Sequence, residues 1–224
     1  MGGTHSTLKP EVVNDLKNHT AFSYAEICDI YRQYREDCAH KDHYDMTLED
    51  FTQMYLKVFP QGDAHAFAAN VFKTFDHDDT GRINFRQFIS MLSIQLKGNL
   101  QQKLEWAFDL YDIEKTGYIS KKEVGEMITS MSKLNAHILP AEDRISCQQL
   151  TDYIFERADV AKDGRLSKRE FLQAAMTSKT IQKIIEGTTT AASSPYTARK
   201  ERSGSFGKPR SNSFRQRTDS HDSQ

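Results

Sequence analysis

Long apolar runs are missing from this sequence of 224 residues. No stretch approaches the ~20 residues that a helix needs to cross a bilayer, and the N-terminus has no signal-peptide core. Cysteine is scarce, and Cys28, Cys38 and Cys147 form no CxxC pattern, which predicts reduced thiols. Glycine-rich phosphate loops and zinc-ligand spacings are also missing. We therefore expect a non-enzymatic protein that is cytoplasmic and peripherally associated with membranes.

Net charge is almost absent, at −1, and the mean hydropathy is −0.67. This near-neutrality hides an asymmetry along the chain. Residues 187–224 hold seven Lys/Arg and three Asp/Glu, a net charge of +4, whereas residues 1–186 have 23 and 28, a net charge of −5. The pattern predicts an acidic folded body with a basic tail, and the overall balance does not indicate a nucleic-acid binder.

Oxygen-bearing side chains recur at regular spacing in residues 112–123 (DIEKTGYISKKE), with Gly117 at position 6. This is the spacing of a twelve-residue calcium loop, in which a hard cation takes oxygen ligands and a final glutamate supplies both carboxylate oxygens. Apolar residues at helical spacing flank the loop on both sides. An acidic surface turn is the alternative interpretation. The predicted metal ligands are Asp112, Glu114, Thr116, Tyr118 and Glu123.

Two weaker copies of this loop lie at residues 76–87 (DHDDTGRINFRQ) and 159–170 (DVAKDGRLSKRE). In the former, Gln87 at position 12 is neutral, which predicts lower calcium affinity or Mg²⁺ binding. In the latter, Ala161 at position 3 offers no oxygen, so that a water would have to substitute. The predicted ligands are Asp76, Asp78, Thr80, Arg82 and Gln87 in one loop, and Asp159, Asp163, Arg165 and Glu170 in the other.

A degenerate copy is predicted at residues 39–50, with Lys41 at position 3 and no glycine at position 6. A lysine ammonium there would repel a cation, so we interpret this loop as retained for packing alone. Four helix–loop–helix units predict an all-α fold of two EF-hand pairs, with short β ribbons between paired loops. The predicted segments are 1–20 (N-terminal segment), 21–97 and 98–186 (hand pairs), and 187–224 (disordered tail).

The N-terminal residues MGGTHS fit the acceptor pattern for N-myristoylation on Gly2. A single myristoyl chain binds membranes only marginally, with a partition constant of about 10⁴ M⁻¹. Such an anchor suits reversible association with a membrane.

The sequence resembles the neuronal calcium sensor family, which includes recoverin, frequenin and the visinin-like proteins. The similar segments are the Gly2 start, residues 8–11 (LKPE), 37–38 (DC), 59–63 (FPQGD) and 104–112 (LEWAFDLYD), within a match over about 1–186. Gln87, Glu114 and Ala161 depart from the family pattern. The resemblance implies two packed hand pairs, a myristoyl group, and a hydrophobic groove that binds a target helix when calcium is present. Its candidate residues, each of which could instead belong to the ordinary core, are Tyr31, Tyr34, Phe51, Tyr55, Phe85 and Leu92.

The last segment is rich in serine, threonine and basic residues. Residues 187–195 are interpreted as a flexible linker, and Ser205, Ser213 and Thr218 each follow an arginine by three residues. Basic-directed kinases recognise this spacing, and the Arg-Ser-x-Ser segments resemble 14-3-3 ligands. Unphosphorylated, the cations could support membrane binding at about 1 kcal/mol per charge.

Three functional hypotheses follow from these patterns. The first is a calcium sensor that regulates a membrane-proximal target such as a channel, receptor, kinase or cyclase. The alternative is a calcium-insensitive EF-hand adaptor that is regulated by tail phosphorylation. The third is a passive calcium buffer. This hypothesis is disfavoured, because only one loop is strong and a buffer needs no lipidation motif.

Overall fold

A computed structural model of the chain describes residues 8–38, 45–134 and 146–203, and the side chains up to residue 198. The predictions for Gly2, Lys41, Ser205, Ser213 and Thr218 lie outside the described residues. The elements are α1 (Pro10–His19), α2 (Tyr24–Asp37), β1 (Met46–Thr47), α3 (Leu48–Val58), α4 (His65–Phe75), β2 (Arg82–Ile83), α5 (Phe85–Lys97), α6 (Leu100–Tyr111), β3 (Tyr118–Ser120), α7 (Lys121–Leu134), α8 (Cys147–Ala158), β4 (Arg165–Ser167), α9 (Lys168–Thr177) and α10 (Lys179–Ser203).

Two short antiparallel ribbons join the loops in pairs. Met46 of β1 lies opposite Ile83 of β2, and Ile119 of β3 lies opposite Leu166 of β4. Each of these buried residues is position 8 of its loop, if the loops begin at residues 39, 76, 112 and 159. The predicted fold of helical EF-hands with short ribbons is confirmed, and the register agrees with the proposed alignment of the degenerate first loop.

The helix that leaves each loop begins with a reciprocal cap. In the third hand, the Glu123 N–H donates to Ser120 Oγ at 3.2 Å, and the Ser120 N–H donates to Glu123 Oε2 at 2.7 Å. The same arrangement joins Thr47 to Asp50, Asn84 to Gln87, and Ser167 to Glu170. Such caps satisfy N–H groups that have no partner within the helix, and each is worth about 1 kcal/mol. Position 12 of each loop is therefore also the third residue of the exit helix.

The two hand pairs pack against each other through α4, α6 and α7. The indole N–H of the buried Trp106 donates to Thr74 Oγ1 at 3.1 Å, which joins α6 to α4. Gly62 lies against the end of α7, where a Cβ would be 2.1 Å from the carbonyl oxygen of Leu134. A side chain at Gly62 would force the two pairs apart.

The flexible linker predicted at 187–195 is wrong, because these residues belong to the helix α10. The predicted boundary after residue 186 therefore falls inside a helix. Buried residues recur every three or four positions along it, which is one face of a helix. Several of them are small or hydroxylated, a composition that also suits linkers. The buried residues of this face include Ile181, Ile185, Thr188, Ala192 and Tyr196.

Within the described part of the chain, none of the helices combines the length and the apolar character required to span a membrane.

Candidate functional site

The third loop (112–123) is organised by two buried carboxylates, those of Asp112 and Glu123. The backbone N–H groups of Thr116 and Gly117 donate to Asp112 Oδ1 and Oδ2, each at 2.8 Å. Glu123 Oε1 accepts from the Glu114 N–H at 3.0 Å, and its Oε2 accepts from Ser120. The left-handed backbone at Gly117 (φ +81°) makes the sharp turn that brings these groups together.

Two opposing effects act on Glu123. Burial raises the pKa of its carboxyl, but hydrogen bonds from Ser120, Glu114 and Ile113 outweigh burial and hold the pKa below its ordinary value. A carboxylate that stays ionised is the form that binds a cation. Glu114, the predicted ligand at position 3, instead lies beside Lys122, with 3.7 Å between Oε1 and Nζ.

The second loop (76–87) resembles the third at its start and differs at its end. Asp76 accepts from the N–H groups of Thr80 and Gly81, as Asp112 does from its own loop. At position 12, Gln87 Oε1 accepts from the Asn84 N–H at 2.8 Å, and Gln87 Nε2 donates to Asp78 Oδ1 at 3.0 Å. That hydrogen bond is the main cause of the lowered pKa of Asp78. The amide thus joins positions 3 and 12 directly, where a cation would otherwise join two oxygens.

We expect Gln87→Glu to raise the calcium affinity of the second loop by about tenfold or more, because a carboxylate adds a charge and a second oxygen. Without calcium, the new carboxylate would face Asp78 with no donor between them, so the melting temperature should fall. Calorimetric titration and thermal denaturation in chelator would measure both effects. Equal affinities in wild type and variant would contradict this interpretation.

The fourth loop (159–170) has the same backbone hydrogen bonds to its first and last carboxylates, but one of its predicted ligands forms an ion pair instead. Asp159 accepts from the Asp163 and Gly164 N–H groups, and Glu170 Oε1 accepts from the Ala161 N–H at 3.0 Å. The Asp163 carboxylate is paired with Arg165, with 3.1 Å between Oδ2 and Nε. A cation here would have to compete with that guanidinium and would receive no side-chain oxygen from Ala161.

Contacts between loops link their residues beyond the ribbons. The Arg165 guanidinium lies over the Tyr118 ring, 4.2 Å from its centroid, and joins the fourth loop to the third. Lys115 Nζ lies 3.0 Å from Asp79 Oδ1 and joins the third loop to the second. The third loop therefore contacts both the second and the fourth loop.

The third loop fits a calcium ion best, with two ionisable carboxylates buried at positions 1 and 12 and oxygens at 3, 5 and 7. Among the described residues, no three acidic, histidine or cysteine side chains converge in the manner of a metal site. In the second loop, the neutral Gln87 lacks the charge of a carboxylate ligand. In the fourth loop, Ala161 lacks a side-chain oxygen. The ligand roles predicted for individual residues stay predictions.

Helix α10 lies along the first hand pair. The Tyr55 hydroxyl of α3 donates to the Ala192 carbonyl of α10. The Tyr196 ring packs edge-on against Phe88, with 5.2 Å between centroids, and its hydroxyl lies 4.0 Å from Met54 Sδ. We call the surface of Met54, Tyr55 and Phe88 beneath α10 the α10 groove.

The same helix reaches the residue that directly precedes the third loop. Tyr111, which directly precedes Asp112, is buried, and its hydroxyl lies 2.9 Å from Thr188 Oγ1. Burial raises the pKa of Tyr111 to about 12, although the hydrogen bond to Thr188 lowers it. The residue that directly precedes the first predicted ligand of the third loop is therefore hydrogen-bonded to α10.

The six residues predicted for the target groove have different surroundings. Phe51 is enclosed by Phe72 and Phe75, and the Tyr34 hydroxyl donates to the Ile83 carbonyl, so these two side chains belong to the core. Tyr55 contacts α10, Leu92 is buried, and the half-buried rings of Tyr31 and Phe85 pack edge-on against each other. Met54 and Phe88, which contact α10, are not among the six, and in the sequence only the spacing of residues in 181–196 indicates α10.

Comparison with known proteins agrees with this architecture. An EF-hand domain pair model matches residues 101–176. Human recoverin is 31% identical over 191 residues, which cover 83% of this chain and 94% of recoverin. S-modulin from Aquarana catesbeiana is 34% identical over 191 residues, which cover 83% of this chain and 93% of S-modulin. With its paired hands, calcium loops and similarity over nearly the whole length of these relatives, the chain is a calcium-binding member of the neuronal calcium sensor family.

Proposed function

We propose that this calcium sensor is a non-enzymatic regulator in which ion binding at the third loop releases α10 and opens the α10 groove to a target helix. The hydrogen bond between Tyr111 and Thr188 carries the proposal, because it joins the end of α6 directly to α10. A cation that draws Asp112 toward Glu123 would move the neighbouring Tyr111. The contacts of α10 with Met54, Tyr55 and Phe88 would then be exchanged for contacts with the target.

The membrane and the tail complete the proposed function. A myristoyl group on Gly2 and the basic tail would hold the protein at the cytoplasmic face of an anionic membrane, where a channel, receptor, kinase or cyclase target would lie. Phosphorylation at Ser205, Ser213 and Thr218 would weaken this attachment by reversing local charge and would create sites for 14-3-3. Mg²⁺ would bind at Asp76 and Asp78 of the second loop when calcium is low.

A calcium titration at physiological magnesium concentration tests the proposal through two signals, Trp106 fluorescence and binding of a hydrophobic dye. Both should respond at micromolar calcium in wild type. Tyr111→Phe removes the hydroxyl link, so dye binding should begin at lower calcium. Tyr24→Phe is the control, because Tyr24 lies exposed on α2. A Trp106 response with identical dye binding in wild type and Tyr111→Phe would overturn the proposed link.

A calcium-insensitive adaptor is the second candidate, favoured by the hydrogen bond from Gln87 to Asp78 that closes the second loop through protein groups. In that case the groove would be controlled by the tail and not by calcium. The same titration separates the two candidates, since an adaptor would show no micromolar response in either signal.

A further inference from the structure

The connection between α3 and α4 joins the ends of two exit helices. We call residues 59–63 the α3–α4 turn. On one side, the Phe59 N–H donates to the Tyr55 carbonyl at 2.8 Å, where α3 ends. On the other side, the Asp63 N–H donates to the Lys133 carbonyl of α7 at 3.2 Å. The exit helix of the degenerate first hand is therefore attached to the exit helix of the third hand.

Gly62 makes this attachment a close one. Its N–H donates to the Phe59 carbonyl at 3.1 Å, which closes the turn. A Cβ at this position would lie 2.1 Å from the Leu134 carbonyl oxygen, so only glycine lets the two backbones meet. The Lys133 carbonyl is one of the last four of α7, which have no partner within the helix. The turn thus supplies a hydrogen-bond donor that α7 itself lacks.

The attachment lies far along α7 from the ion site. Lys133 is ten residues beyond Glu123, which is about 15 Å along a helix. When sensor EF-hands bind calcium, the angle between entry and exit helices changes by about 40°. The hydrogen bond from Trp106 to Thr74 ties the entry helix α6 to α4, so the turn stays with α6 while α7 rotates. Half of that rotation would move the Lys133 carbonyl by about 5 Å, which is more than a hydrogen bond tolerates.

We propose that the α3–α4 turn is a latch on the third hand, which holds α7 in the position that it has while α10 covers the α10 groove. This inference rests on the proposed function. Because calcium has to break the attachment when it opens the third hand, the latch lowers the apparent calcium affinity of the third loop. The degenerate first hand thereby regulates the third, since α3 carries both the latch and Tyr55, which contacts Ala192 of α10.

Gly62→Ala tests the latch in the full-length protein, titrated with calcium and followed by Trp106 fluorescence. The added methyl group has no room beside Leu134, so the attachment should be lost. The calcium concentration at the midpoint should then fall about fivefold, which corresponds to the loss of one backbone hydrogen bond. Gly125→Ala is the matched control on α7, because a Cβ there would lie 3.6 Å from Thr151 Oγ1, an ordinary contact. This control should keep the wild-type midpoint.

Amide hydrogen exchange in wild type gives a measurement that needs no variant. In chelator, the Asp63 N–H should be protected by its bond to the Lys133 carbonyl. In saturating calcium it should exchange about tenfold faster or more, because that bond is broken. The Ala68 N–H is the reference, since it donates to the Ala64 carbonyl at 2.8 Å within the first hand pair. Its exchange rate should be the same with and without calcium.

The outcomes are distinct. If Gly62→Ala and wild type share one midpoint, or if calcium leaves the exchange of the Asp63 amide unchanged, the latch is overturned while the sensor function stands. If neither Trp106 fluorescence nor dye binding of wild type responds to micromolar calcium, the proposed function itself fails, and the latch fails with it. Should Gly62→Ala not fold, the exchange measurement in wild type decides alone.

Discussion

Glu123→Gln is expected to lower the calcium affinity of the third loop by about 100-fold, because position 12 loses a charge and one of its two ligand oxygens. The exit helix should persist, since Gln87 forms the same cap in the second hand. The variant would therefore fold with a third loop that binds no calcium at micromolar concentration. Trp106 fluorescence should then show no response at micromolar calcium, and calorimetry should record one fewer site than in wild type.

Glu170→Gln is the matched control, because Glu170 occupies the same position and cap in the fourth loop. We expect a much smaller effect on the micromolar Trp106 response, since Asp163 is already paired with Arg165 and Ala161 offers no oxygen. If Glu170→Gln removes the response and Glu123→Gln leaves it intact, the fourth loop and not the third is the switching site.

Ala192→Arg is expected to release α10 from the groove whether or not calcium is present. Ala192 is 0% exposed, and its carbonyl accepts from Tyr55, so an arginine side chain has no room and its charge would lose hydration. The free energy of unfolding should fall by about 1–3 kcal/mol as the contacts of α10 are lost. Dye binding in chelator should rise to the level that wild type reaches with calcium, and amide exchange should accelerate along α10.

Thr190→Arg provides the comparison, because Thr190 lies exposed on the same helix, two residues away. It should leave dye binding in chelator and amide exchange unchanged. If Ala192→Arg binds no more dye in chelator than Thr190→Arg does, α10 does not cover the groove in the way proposed.

The hands could be predicted from the sequence because their spacing is fixed by chemistry at defined positions. Gly117, Asp112 and Glu123 are separated by the distances that a turn, a first ligand and a last ligand require, and the pairing of Ile119 with Leu166 follows from the same numbering. A pattern that specifies each position leaves little for tertiary packing to change.

Helix α10 could not be predicted in the same way. Thr188 and Ala192 are buried because α6 and α3 approach the helix closely, and small residues allow that approach. In isolation the same residues have the composition of a linker. The aromatic residues of α3 could not be assigned from the sequence for a similar reason. Phe51, which packs in the core, and Tyr55, which contacts α10, are four residues apart on one helix face. Only the partner helix distinguishes them.

The cap at the start of each exit helix has an evolutionary consequence. Since position 12 both contributes to the ion site and caps the exit helix, a substitution there can weaken the ion site and still keep the cap, as Gln87 does. Loss of ion binding is thus separable from loss of the fold. A hand in such a protein can therefore lose affinity for its ion through a single substitution at position 12 without losing its exit helix.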